Sequence, residues 1–170
     1  MLGSYTRKGE CPVIMLISTR LIDRYNSIYD TIVRHYYNTS ECKKRLIYLS
    51  LLIIARNGLR VTESIIAIQE FMKQLNRTIT IKTLKKGNTR HVVFPEEISI
   101  IDLPHYKLCI DELNRHQIKI HAYKKLHVNP HYLRKLYIIT LYSEGYNVEQ
   151  IQRVVGHVSK RSTEHYIQSL

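Results

Sequence analysis

The sequence has no long apolar run, few cysteines and few acidic residues. Its longest apolar stretch, Ile47 to Ala55, is interrupted by Tyr48 and Ser50. A bilayer span needs about 20 residues, so no membrane partner is expected. The early run CPVIMLIS, from Cys11 to Ser18, lacks a small-residue cleavage site and does not read as a signal peptide. The three cysteines, Cys11, Cys42 and Cys109, are odd in number and far apart, which supports neither a disulfide framework nor a CxxC metal knuckle. They predict a reducing, intracellular, cytoplasmic setting. Asp and Glu total 14 and are dispersed, so the clustered carboxylates of a magnesium nuclease are missing. His116, His121, His127 and His131, with Cys109 upstream, do not form a compact zinc pattern. No metal and no cofactor is expected.

What is present is positive charge on a chain that can fold. The net charge is +12 and the apolar fraction 44% over 170 residues, enough for one domain with a real core. Lys and Arg are scattered, often beside Tyr and His, rather than gathered in one polybasic tract. Dispersed cations suit a phosphate backbone better than a membrane surface. There is no internal repeat and no low-complexity segment.

Apolar spacing predicts a helix from about Thr19 to Tyr36, with Leu21, Ile22, Tyr25, Ile28, Tyr29, Ile32, Val33 and Tyr36 on one stripe. A second helix runs from about Glu41 to Arg56 and stops at Asn57-Gly58. Thr62 is placed to cap a third, from about Glu63 to Leu75. The period then drops to two. Ile79 and Ile81, and later Val92 and Phe94, flank Gly87-Asn88, which predicts a β-hairpin with Lys82, Lys85, Lys86 and Arg90 around its tip. A short helix is expected after Pro104, through about His116, and mostly loop from Ile118 to Asn129. Pro130 suits the first turn of a helix that ends at Gly145. Asn147 caps another, stopped by Gly156, and a last helix starts near Ser159 or Ser162. The fold class is mainly α with a small antiparallel β-hairpin, in a single domain.

Five polar residues stand out with Tyr166: Arg60, Lys86, His131, Arg134 and His157. Singly, each is an ordinary loop, hairpin-tip or helix-surface residue. In order, NGLRVTE, KKGNTRHVVFP, HYLRK, GH and a Tyr nine residues after that His resemble the motif series of the tyrosine recombinases, the phage-integrase type. The resemblance extends from near Thr19 to the C-terminus.

That resemblance implies a site-specific recombinase or integrase of a virus, plasmid or other mobile element. Such an enzyme cleaves and rejoins DNA through a 3'-phosphotyrosyl intermediate, without metal or ATP. Tyr166 is then the nucleophile. It is weak at neutral pH, because only about one phenol in a thousand is ionised. Arg60 and Arg134 clamp the non-bridging phosphate oxygens, where preorganised donors each supply about 3–4 kcal/mol to such transition states. His157 adds a donor there. His131 manages the phenolic proton or buttresses the phosphate. Lys86 protonates the leaving 5'-oxygen, with Lys85 the neighbouring competitor. Glu63 braces the site through an arginine. Lys82, Lys85, Arg90 and Lys135 are read as DNA contacts.

The partner implied is double-stranded DNA. Residues 1–170 read as a single catalytic domain, without the family's N-terminal core-binding domain and with only four residues after Tyr166. The chain alone is therefore expected to be a monomer, with a tetramer forming on DNA at full length. Two rivals share the chemistry or the fold: a type IB topoisomerase-like relaxing enzyme, and a non-catalytic DNA-binding relative.

Overall fold

The computed structural model describes residues 12–83, 89–156 and 159–168, with the backbone alone for 12–18. Helix α1, Pro12–Asn38, begins earlier than its apolar stripe. Ile32 and Tyr36 of that stripe are buried, and Tyr25, Ile28, Tyr29 and Val33 pack beside them. Helix α2, Cys42–Asn57, is buried on every side from Leu46 to Ala55. A helix apolar all round belongs in the interior, and α2 has α1, α3 (Val61–Gln74), α4 (Arg115–Leu126) and α5 (Pro130–Ser143) packed against it.

Helix α3 starts one residue ahead of the expected cap. Arg60, not Thr62, is its N-cap, and the Glu63 carboxylate reaches back to accept the Arg60 backbone N–H at 2.9 Å. A carboxylate at the third helical position can satisfy this otherwise unpaired donor, so Thr62 is left inside the first turn.

Strands β1 (Thr78–Lys82) and β2 (Thr89–Val93) pair antiparallel, from Thr78 opposite Val93 to Lys82 opposite Thr89. The pleat turns Ile79 and Ile81, and Arg90 and Val92, inward. Phe94 follows on the same face and meets Phe71 of α3 edge-on, with ring centroids 5.0 Å apart. The Asn57 side chain ties the end of α2 to this sheet. Its amide donates to Val93 O at 2.9 Å and its oxygen accepts from Val93 N at 2.8 Å.

Two expectations between the hairpin and Pro130 need correction. The short helix expected after Pro104 is a pair of 3-10 segments, Ile100–Tyr106 and Ile110–Glu112, and Pro104 lies inside the first. The expected loop from Ile118 is the body of α4. Asn114 caps α4 by accepting from His116 N at 3.1 Å and Gln117 N at 3.0 Å. Only a thin stripe, Ile118 and Ala122 with Leu126 beside them, faces the core. The rest of α4 is mostly basic and polar, with Ile120 and Tyr123 exposed, which hides the helical period.

The cysteine reading is also corrected. Cys42, at the start of α2, and Cys109, between the 3-10 segments, form a disulfide across 67 residues. Folding brings together two cysteines with no local spacing signature. The case for a reducing compartment from cysteine usage therefore lapses.

Helices α5, α6 (Val148–Val155) and α7 (Lys160–Gln168) build a second, smaller core. It consists of Ile138, Leu141, Ile151 and Val155, with Tyr137, Tyr142, Tyr166 and Ile167 packed against it. No described helix is long and apolar enough to cross a membrane.

Candidate active site

The site forms where the corner between α2 and α3 meets the first turn of α5. Gly58 ends α2 in the left-handed region, at φ +59°. A Cβ there would lie 2.5 Å from Tyr137 Cδ1, so the corner can sit this close to α5 only with glycine. Two residues on, Arg60 points its guanidinium along α3 and donates from Nη1 to Glu63 Oε1 at 2.8 Å.

Glu63 is fully buried, and three arginines surround it. Besides Arg60, Arg90 Nη1 lies 3.5 Å and Arg134 Nη1 lies 3.9 Å from its Oε2. Arg134 is itself only 2% exposed. It donates from Nη1 to Gly58 O at 2.5 Å and from Nη2 to Val155 O at 2.9 Å. Burial first, then the Arg60 and Arg90 charges, push its pKa down to about 10 while Glu63 opposes them; it remains a cation at neutral pH.

Arg90 is not the surface DNA contact expected from its place near the hairpin tip. It is 4% exposed and turned inward by the strand register. Its Nη2 donates to Asn57 O at 2.7 Å and to Val154 O at 2.8 Å. Burial lowers its pKa, against the pull of Glu63 and Tyr137. The signal for burial was present in the sequence: Arg90 alternates with Val92 and Phe94, all on one face of the strand.

On the other side of the cluster, α7 brings Tyr166 to α5. The Tyr166 hydroxyl and His131 Nε2 are 2.5 Å apart, and their rings pack at 5.6 Å between centroids. Burial lowers the His131 pKa, and the charges of Arg134, Arg60 and Lys119 lower it further. A neutral imidazole is thereby favoured, and it can accept the phenolic proton. Burial raises the Tyr166 pKa, while Arg134 and Arg60 pull it down. Tyr166 is thus a protonated phenol with an acceptor in place, in the field of two guanidiniums.

The structure therefore brings Arg60, Glu63, His131, Arg134 and Tyr166 to one place. Lys82 is exposed at the end of β1, and Lys135 is half-buried on α5 beside Arg134. Lys85, Lys86 and His157 lie outside the described residues. Sequence reasoning missed Lys119, because α4 was read as loop. Among the described residues, no three His, Cys, Asp or Glu side chains converge as a metal-ligand set. What the arrangement offers is three guanidiniums around one carboxylate, an excess of positive charge that an anion beside Tyr166 would balance.

Residues 111–170 match the model of the phage integrase family. A protein of Acidianus two-tailed virus, described as "Putative integrase ORF241", is 28% identical over 139 residues, covering 81% of this chain and 54% of that protein. The chain thus spans about half the length of that relative. No solved structure matches the chain.

Proposed function

We propose that this protein is a tyrosine recombinase that cleaves and rejoins double-stranded DNA through Tyr166, a reading supported by the match of residues 111–170 to the phage integrase family. The observation that carries the proposal is the Tyr166 hydroxyl resting on His131 Nε2 beside the Arg60–Glu63–Arg134 cluster.

A backbone phosphodiester enters with its non-bridging oxygens against Arg60 and Arg134. Arg134 spends two of its five N–H donors on Gly58 O and Val155 O, and others remain for phosphate. Tyr166 Oη attacks phosphorus as its proton passes to His131 Nε2. The bond from phosphorus to the 5'-oxygen breaks, and a 3'-phosphotyrosyl link forms. Negative charge grows on the non-bridging oxygens as phosphorus becomes five-coordinate, where the two guanidiniums stabilise it most. In the family pattern His157 donates to the same oxygens and Lys86 gives the leaving 5'-oxygen its proton. Attack by a 5'-hydroxyl on the phosphotyrosine reverses the steps and reseals a strand. Phosphoryl-bond energy is conserved throughout, so the cycle consumes no ATP.

This reading makes the chain a recombinase or integrase catalytic unit acting inside a cell. On this reading DNA organises the protein into a higher-order assembly. The test is a nicked suicide duplex followed by a denaturing gel. A protein–DNA adduct should form in the presence of chelator and be absent in Tyr166→Phe. An adduct that persists in Tyr166→Phe removes Tyr166 from the role, and a strict magnesium requirement removes the mechanism.

A further inference from the structure

We propose that Arg90 is a positioning residue for strand cleavage, a third arginine that locks together the ends of α2 and α6 beside Arg60 and Arg134 without touching DNA. The inference rests on the recombinase reading above.

Helices α2 and α6 end side by side, and a helix end leaves its last carbonyls without intrahelical partners. Arg90 Nη2 bridges two of them, donating to Asn57 O at 2.7 Å and to Val154 O at 2.8 Å. Arg134 repeats the bridge one residue further along both segments, to Gly58 O and Val155 O. The two guanidiniums form the rungs of a ladder between the helix ends, where the negative poles of both helix dipoles favour cations. Glu63 faces both rungs, at 3.5 Å and 3.9 Å. The ladder ends at Gly58 and Val155. In sequence, each lies two residues before a candidate catalytic side chain, Arg60 and His157.

Arg90 is built into this position. Its stem passes over Gly156, which sits at φ +63°, and a Cβ on Gly156 would lie 2.8 Å from Arg90 Cδ. The glycine next to His157 is thus the floor on which Arg90 lies. Stability alone is a poor reason for arginine here. Its buried Nε has no hydrogen-bond partner, and an apolar side chain could fill an inward strand position without that cost. What only a planar fork supplies is two carbonyls held at fixed spacing with a carboxylate beside them.

The experiment compares wild type with Arg90→Met and Arg90→Lys in three measurements: single-turnover adduct formation on a suicide duplex, duplex Kd as a function of salt, and thermal melting. Adduct formation should slow by about 100-fold in Arg90→Met, the scale of a 1 Å misplacement of reacting groups. Duplex Kd should stay within about twofold and the salt slope should not change, because no phosphate contact is lost. Arg90→Lys keeps the charge and the fold but loses the fork, so it should also be slow. It decides the matter if Arg90→Met does not fold. Wild-type cleavage by Arg90→Lys overturns the proposal. So does a salt slope reduced by about 1, the signature of a lost phosphate contact, or a variant that melts lower but cleaves at full rate well below its melting point. A wild-type protein that forms no adduct at all brings down the recombinase reading instead.

Discussion

Replacing Glu63 with Gln changes one charge at the centre of the site and almost nothing in shape. The carboxylate is fully buried, with Arg60 Nη1 at 2.8 Å, Arg90 Nη1 at 3.5 Å and Arg134 Nη1 at 3.9 Å. At an effective dielectric of about 20, unit charges at those separations attract by about 6, 5 and 4 kcal/mol. Most of that gross attraction is offset by the cost of taking the ions out of water. Removing one partner of a buried pair costs about 3–5 kcal/mol, because the remaining charge is left without compensation. Arg60 is partly exposed and therefore screened, so most of the loss comes from Arg90 and Arg134, each 2% exposed at its side chain. In addition, one carboxylate oxygen is replaced by an NH2 that faces N–H donors.

Glu63→Gln should therefore lose about 3–5 kcal/mol in urea denaturation. For a domain of this size the melting point should fall by about 6–20 °C. Added sulfate supplies the missing negative charge, so it should raise the melting point of Glu63→Gln more than that of wild type, following ordinary ligand linkage. A loss below about 1 kcal/mol, or an equal sulfate response in both proteins, would refute the claim that this carboxylate compensates buried guanidiniums.

Three further outcomes follow from the same geometry. Reduction of Cys42–Cys109, or a Cys42→Ser, Cys109→Ser double substitution, opens a link spanning 67 residues; the chain-entropy cost is about 4 kcal/mol. The melting point should drop, while cleavage well below it stays unchanged, since the bond and the site lie at opposite ends of α2, about 22 Å apart. An unchanged melting point under reductant counts against the pairing. The pH profile of adduct formation tests His131, whose folded pKa is depressed by burial and by Arg134, Arg60 and Lys119. The neutral form then persists below the usual value of about 6.5, so activity should hold through that pH and fall only below it. The stability from this histidine runs the same way, present above about pH 6.5 and lost as pH falls through the folded pKa. Half-loss of rate at pH 6.5 or above contradicts it. A 5'-phosphorothiolate at the scissile position needs no acid for its leaving group, so it should rescue Lys86→Ala but not Arg134→Ala. Rescue of Lys85→Ala, with Lys86→Ala barely impaired, transfers the role to Lys85.

The hairpin, the central helix and the last three helices were legible because their signals are local: a period of two or 3.6, an Asn cap, a Gly stop. Arg60, Glu63, His131, Arg134 and Tyr166 stood out for a different reason: their order along the chain resembles the tyrosine-recombinase motif series, while singly each is an ordinary residue. Helix α4 was not legible, since its buried face is only Ile118 and Ala122 with Leu126 beside them, in a segment otherwise mostly basic and polar with Ile120 and Tyr123 exposed. Nor was the disulfide, because Cys42 and Cys109 meet only through the packing of α2 on the 3-10 segments. Arg90 is the instructive case. Charge near a hairpin tip suggested solvent, while alternation with Val92 and Phe94 pointed inward, and the alternation prevailed.

That outcome changes what the positive charge of this chain means. Surface lysines attract a polyanion from a distance and are screened by salt within about 8–10 Å. Arg90 and Arg134 are buried and screened far less. They are already committed to backbone carbonyls and to Glu63, so their charge is held at a fixed position rather than on a flexible stem. A donor array that needs no reorganisation when charge develops is what stabilises a transition state. Three guanidiniums around a single carboxylate leave the site short of one or more negative charges, and the exposed edge of that deficit is where Arg60 and Tyr166 stand. On the proposed recombinase reading, a phosphate at that edge would be held by the same charges that stabilise the five-coordinate state, which would make the buried ladder and Tyr166 two faces of one electrostatic device.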